Sequence, residues 1–173
     1  AEERGVGIVN PDELRAIQAP LKQRYRETPE AALITLRAQG RLADGITCKI
    51  ETGKALVSAG LHTATGGSGL NACSGDMLLE ALIACAGVTL NAVATALGIE
   101  VRDATIEAEG DLDFRGTLGV SKEVPVGFQN IRLRFRLDTD ASEGEIANLL
   151  RLTERYCVVY QTLVRPPALT VIR

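Results

Sequence analysis

Tryptophan is absent from this 173-residue chain, and only three Phe and three Tyr are present. So few aromatics exclude a platform of stacked rings for single-stranded nucleic acid. The net charge of −3 also lacks the basic character that a nucleic-acid partner calls for. Histidine occurs once, at His62, and the four cysteines (Cys48, Cys73, Cys85, Cys157) form no CxxC pair. Structural zinc needs paired short ligand spacings, so neither a metal nor a cofactor is expected. No basic stretch followed by an apolar core opens the chain, so no secretory signal is expected. The implied setting is cytoplasmic, where thiols serve as structural or redox groups rather than as a disulfide framework. Internal repeats, low-complexity tracts and interdomain linkers are missing as well, and the length fits one domain.

What the chain has instead is small aliphatic bulk: 46% of it is hydrophobic, so the core must come from Ala, Val, Leu and Ile. The organising stretch is Ser74 to Leu97, SGDMLLEALIACAGVTLNAVATAL, which opens on the cap-like Ser74 and Asp76 and closes at Gly98. Apolar residues occupy every face of its helical wheel, and the spacing predicts a helix buried on nearly all sides. Ala81 to Leu97 carries no charge and approaches membrane-span length. Its Ala, Gly, Thr and Asn dilute the hydrophobicity, and Glu80 lies just ahead, so a core helix is expected rather than a membrane span. A helix this apolar in so short a chain calls for cover from a partner subunit. Cys85 stands at its middle.

Residues 1–30 read as a polar extension, partly helical, with Leu14, Ile17 and Leu21 on one side of a helix over Pro11–Tyr25. From residue 31 the texture turns to strands: AALITLRAQ, GITCKIET and KALVSAG, a meander whose turns contain Gln39-Gly40-Arg41 and Thr52-Gly53-Lys54. After Gly98, IEVRDATIEAEG and DLDFRGTLGV read as two strands. Ile131–Leu137 alternates strictly and gives a third, with Arg132, Arg134 and Arg136 facing solvent. A second helix starts at Asp140 or Ser142 and ends at Cys157, and Ala168–Ile172 reads as a last strand. The fold class is therefore α+β, in the order β-β-β-α-β-β-β-α-β. Between meander and helix, Gly67 to Ala72 fits the permissive G-x-G-x-x-[GA] dinucleotide pattern. The helix opens later, near Ser74, and no parallel strand with an acidic residue about 20 positions on follows, so the glycines read as a sharp turn and His62 as a loop residue.

Two thiols on helices, Cys85 and Cys157, suit peroxide reduction: one attacks as thiolate to give a sulfenic acid, and the second condenses to a disulfide. The attacking sulfur needs a nearby positive or donor group to lower its pKa. The run Leu78-Leu79-Glu80-Ala81-Leu82-Ile83-Ala84-Cys85-Ala86-Gly87-Val88-Thr89-Leu90, with Glu154-Arg155-Tyr156-Cys157, Val159 and Thr162-Leu163, resembles the OsmC/Ohr superfamily of thiol-dependent peroxidases. The resemblance covers residue 31 to the C-terminus and makes 31–173 one OsmC-like domain. It implies an intertwined homodimer with active sites between subunits, organic hydroperoxides as substrates, and a dithiol reductant of the lipoyl or thioredoxin type.

By that resemblance Cys85 matches the peroxidatic cysteine, Cys157 the resolving one, and Arg41 the arginine of the family's Gly-Gly-Arg turn, which activates the thiolate. Asp76 takes the place of the carboxylate that orients the arginine, and Glu80 is the alternative. Cys73 is the alternative resolving thiol, while Cys48 reads as structural. The chain departs from the family in having Val158, where Pro commonly follows the resolving cysteine, and Cys73-Ser74 ahead of the helix, where Pro is usual. Both departures point to the OsmC-like relatives. The other reading of the same features is a non-catalytic dimer that holds an apolar small molecule at its subunit interface.

Overall fold

The computed structural model describes residues 11–43, 47–50 and 59–173. They fall into two compact units, drawn from Ala1–Thr35, Leu56–Ser74 and Asp111–Asn130 and from Leu36–Ala55, Gly75–Gly110 and Ile131–Arg173.

In the first unit, α1 (Pro11–Glu27) buries Tyr25, with Leu21 one turn earlier packed against the same cluster. Ile17, expected on the inner side, is 43% exposed. The burying stripe is thus rotated toward the aromatic ring, whose hydroxyl donates to the Ala64 carbonyl at 2.6 Å. A 3-10 turn, Pro29–Ala32, contributes the buried Ala32, and Phe114 and Leu118 complete this small core. His62 belongs here: its Nδ1 accepts from the Ala64 N–H at 3.0 Å, and its ring stacks on Phe114 with centroids 5.1 Å apart. The glycines after it have a local cause. A Cβ on Gly67 would lie 1.7 Å from the Leu61 carbonyl oxygen, so only glycine lets the loop close there.

Four strands, β1 (Leu33–Ala43), β2 (Thr47–Ile50), β3 (Asp103–Asp113) and β4 (Asn130–Asp138), form one antiparallel sheet in the order β2-β1-β3-β4. The first expected turn is corrected. Gln39-Gly40-Arg41 lies inside β1, with Arg41 opposite Lys49 and Leu42 opposite Cys48. The turn at Thr52-Gly53-Lys54 and most of the third expected strand lie outside the described residues.

Beyond the central helix, the two expected strands are one. Gly110 is buried within β3 rather than ending it, and Phe114–Thr117 coils into a short helix, α3. Asp113 caps α3, and its two oxygens accept from the backbone and guanidinium of Arg115. Those bonds hold the Asp113 carboxyl below the usual carboxylate range although the residue is buried.

The long helix α2 spans Ser74–Leu97, the limits read from its caps. Its inner face (Leu79, Leu82, Ile83, Ala86, Gly87, Leu90, Ala94) is buried, as are Ala104, Ile106 and Ala108 of β3. The opposite stripe is not: Leu78 and Val88 are 38% and 39% exposed, and Ala81 is exposed too. Among the described residues of one chain α2 is therefore covered on one side, and the cover expected from a partner subunit would fall on the other. Among the described residues it is the one helix whose length and composition suit a membrane span. Helices α4 (Glu143–Tyr156) and α5 (Val158–Val164) follow β4, and Ser142 and Glu145 close a capping box on α4. Past Arg165 the chain forms neither helix nor strand and is exposed. Leu169, Val171 and Ile172 are 88–90% exposed, so the last expected strand is not formed.

Candidate active site

Cys85 sits at mid-length on α2, on the same side as Leu78, Ala81 and Val88, so the thiol lies on the exposed apolar stripe and is itself half-buried. Cys157 occupies the single non-helical residue between α4 and α5 and is fully buried. It closes α4 through its own N–H to the Thr153 carbonyl at 2.9 Å. It opens α5 by accepting the Tyr160 N–H on its sulfur at 3.4 Å. That junction brings its thiol within hydrogen-bonding reach of Cys85.

The two thiols are driven in opposite directions. For Cys85, burial favours the neutral thiol. Hydrogen bonds from the Val159 N–H, the Cys157 thiol, the Val158 N–H and the Thr89 hydroxyl outweigh it and move the group below an ordinary thiol. For Cys157, burial dominates and the neighbouring Cys85 adds to it, so the thiol is pushed up to about 11. In a shared hydrogen bond, the lower-pKa sulfur becomes the acceptor and the higher one keeps the proton. Cys85 is thus the thiol of the pair that gives up its proton more readily, with Cys157 placed to donate to it.

The other expected residues stand elsewhere in the chain. Arg41 projects from β1, and its Nη2 binds Asp103 Oδ2 of β3 at 2.8 Å, both side chains being about half-exposed. Asp76 lies in the first turn of α2. Nine residues of helix separate it from Cys85, a rise of about 13 Å that ends on the opposite face, so the two cannot meet within one helix. Asp76 does neighbour Glu80, four residues on. Burial, then the Asp76 charge, raises the Glu80 carboxyl above its usual range. Cys73 precedes α2 and is half-buried. From Ser74 to Cys85 the helix already rises about 16 Å, far beyond the roughly 7 Å that a disulfide tolerates between Cα atoms. Three donors to Cys85 were not read from the sequence. Thr89 was within reach of such reading, since it stands one turn after the cysteine on the same face. The N–H groups of Val158 and Val159 were not, because backbone donors leave no mark in residue type.

The sequence profile of the OsmC-like protein family matches residues 66–172. The chain belongs to the OsmC-like family. That span contains α2, both thiols and the α4–α5 junction. Among solved structures, the OsmC-like chain is similar to an OsmC-like hydroperoxide resistance protein from Jannaschia sp. CCS1. The TM-score is 0.60 at 14% identity, over 80% of this chain and 91% of that one. It is also similar to an OsmC-like protein from Mycoplasma pneumoniae, with TM-score 0.54 at 17% identity, over 78% and 86% of the two chains. At such identities the likeness establishes the fold. No curated protein matches the sequence significantly.

Proposed function

We propose that this OsmC-like protein is a thiol-dependent peroxidase that reduces organic hydroperoxides. One observation carries the reading: two thiols in hydrogen-bonding reach, the half-exposed one shifted down and the buried one shifted up. The Cys85 thiolate attacks the outer peroxide oxygen. The O–O bond breaks as the S–O bond forms, and the departing alkoxide takes a proton to leave as the alcohol. Cys157 then attacks the Cys85 sulfenic acid. An S–S bond replaces the S–O bond, and the released hydroxide leaves as water with the Cys157 proton. A dithiol reductant, of the lipoyl or thioredoxin type, restores both thiols and becomes a disulfide. Such a cycle suits a cytoplasmic setting, where reducing dithiols are plentiful.

The exposed stripe of α2 supports a homodimer in this reading, because Leu78, Ala81 and Val88 are the faces a second copy would cover. A second copy is also the route by which Arg41 would reach Cys85, and by which the neighbouring carboxylates Asp76 and Glu80 would orient it. The test is peroxide consumption with cumene hydroperoxide and hydrogen peroxide, with dihydrolipoamide or thioredoxin as reductant. Turnover with the organic peroxide is expected. Failure with every combination leaves the same apolar stripe as a binding surface without catalysis.

A further inference from the structure

The chain as a whole is acidic, yet one concave surface is not. Helices α4 and α5 and the residue after them enclose a groove of about 570 Å³. Arg151, Arg155 and Arg165 line it together with Glu154, Tyr156 and Tyr160. Three guanidiniums there face one carboxylate, in a protein whose net charge is −3. The arginines of the sheet, by contrast, are matched: Arg132 with Glu109, Arg134 and Arg136 with Glu107, and Arg102 with Asp138 and Asp140. Those of the groove are not in ion pairs with any described residue. Arg151 donates to the neutral Asn148 amide at 2.7 Å, and Arg155 lies over the Tyr156 ring at 5.7 Å. Glu154 is turned toward the Tyr160 hydroxyl at 3.5 Å, and its carbonyl accepts from Gln161 at 2.8 Å.

Unmatched guanidiniums beside two tyrosine rings suit an organic anion: the acid group takes the charge-assisted hydrogen bonds, and an apolar body packs against the tyrosines. The volume is that of a small-molecule site, not of a protein partner. The groove also adjoins the thiols. Tyr160 lines it with its side chain, while its own N–H donates to Cys157 Sγ.

Resting on the peroxidase reading, we propose that this groove takes the acid group of the substrate. The protein then favours hydroperoxides that carry a carboxylate over their neutral counterparts, with Arg151 and Arg165 as specificity-determining residues. Two measurements on the full-length protein test it. The first compares kcat/KM for cumene hydroperoxide and its para-carboxylate in wild type and in an Arg151→Gln/Arg165→Gln double variant. Wild type should prefer the carboxylate through a lower KM, and the variant should lose on the order of tenfold of that ratio. A wild-type ratio near one, or a ratio unchanged in the variant, overturns the proposal.

The second measurement needs no turnover. With no Trp and three Tyr, two of them in the groove and Tyr25 buried in the other unit, tyrosine fluorescence reports mainly on this surface. Titration with 4-isopropylbenzoate should quench it with a Kd that rises about tenfold in the variant and with added salt, while 4-isopropylbenzamide should bind far more weakly. Equal binding of acid and amide overturns the proposal. If neither peroxide is consumed, the peroxidase reading fails and the titration alone decides whether the groove binds acids.

Discussion

The thiol pair and the arginine–carboxylate pair are two places where residues far apart in sequence meet, and they meet for different reasons. Cys85 and Cys157 come together because the break between α4 and α5 turns a buried thiol and two backbone N–H groups toward the middle of α2. Arg41 and Asp103 come together because β1 and β3 are neighbours in the sheet, where each side chain takes the nearest opposite charge across the ladder. The first arrangement is partly buried, asymmetric and sets two pKa values apart. The second is half-exposed and screened, the kind of pair that contributes about 0–1 kcal/mol.

The largest effects should fall on the thiol side of that comparison. Cys85→Ser should abolish peroxide consumption. Cys157→Ser should permit one turnover, stopping at a sulfenic acid that a dimedone-type reagent captures by mass spectrometry. Steady consumption by Cys85→Ser would move the nucleophile elsewhere.

Next comes Arg41, where the comparison is most easily broken. If a second copy brings Arg41 to the thiolate, Arg41→Ala should slow peroxide reduction roughly 10²-fold, about 2.7 kcal/mol. Asp103→Asn, which frees Arg41 from its partner in the sheet, should change the rate little. A loss below about threefold in Arg41→Ala would leave the residue a surface partner of Asp103 and nothing more.

A smaller effect sharpens the account of the thiolate itself. Where the family commonly has Pro, Val158 supplies an N–H to Cys85. Position 158 opens α5, and the first helical position accepts proline without distortion, so Val158→Pro deletes one donor and little else. In wild type the alkylation midpoint of Cys85 should lie below that of an ordinary thiol. In Val158→Pro it should rise, with the neutral-pH alkylation rate falling several-fold, up to about tenfold. The sign follows from the direction of the shift: a lowered pKa means thiolate below the ordinary titration range, and losing a donor returns it. The smallest effect belongs to the sheet. Arg134→Gln, which breaks a pair to Glu107 at 3.2 Å with the arginine half-exposed, should change unfolding free energy by less than about 1 kcal/mol.

Much of this layout was legible from residue pattern. The limits of α2, the strict alternation of β4 and the Ser142–Glu145 box were all visible as local signals that tertiary context left in place. Three features were hidden for physical reasons. Gly110 reads as a break, yet it lies buried inside β3, whose ladder runs on to Asp113. Ala168–Ile172 has strand composition, but a strand needs a neighbouring edge, and among the described residues none takes it up. Arg41 reads as a turn residue because Gln39-Gly40 precedes it, whereas pairing to Ile50 and Lys49 carries β1 straight through. At the site, the cysteines were legible and their donors were not, since the Val158 and Val159 N–H groups act through the backbone and depend on where α4 breaks.

The central claim is the division of labour between Cys85 and Cys157. It is tested most directly by treating the reduced protein with one equivalent of cumene hydroperoxide and mapping its non-reduced peptides by mass spectrometry. A Cys85–Cys157 disulfide within one chain is the predicted product. A disulfide joining Cys85 to Cys73, or reduced Cys85 beside consumed peroxide, would contradict it.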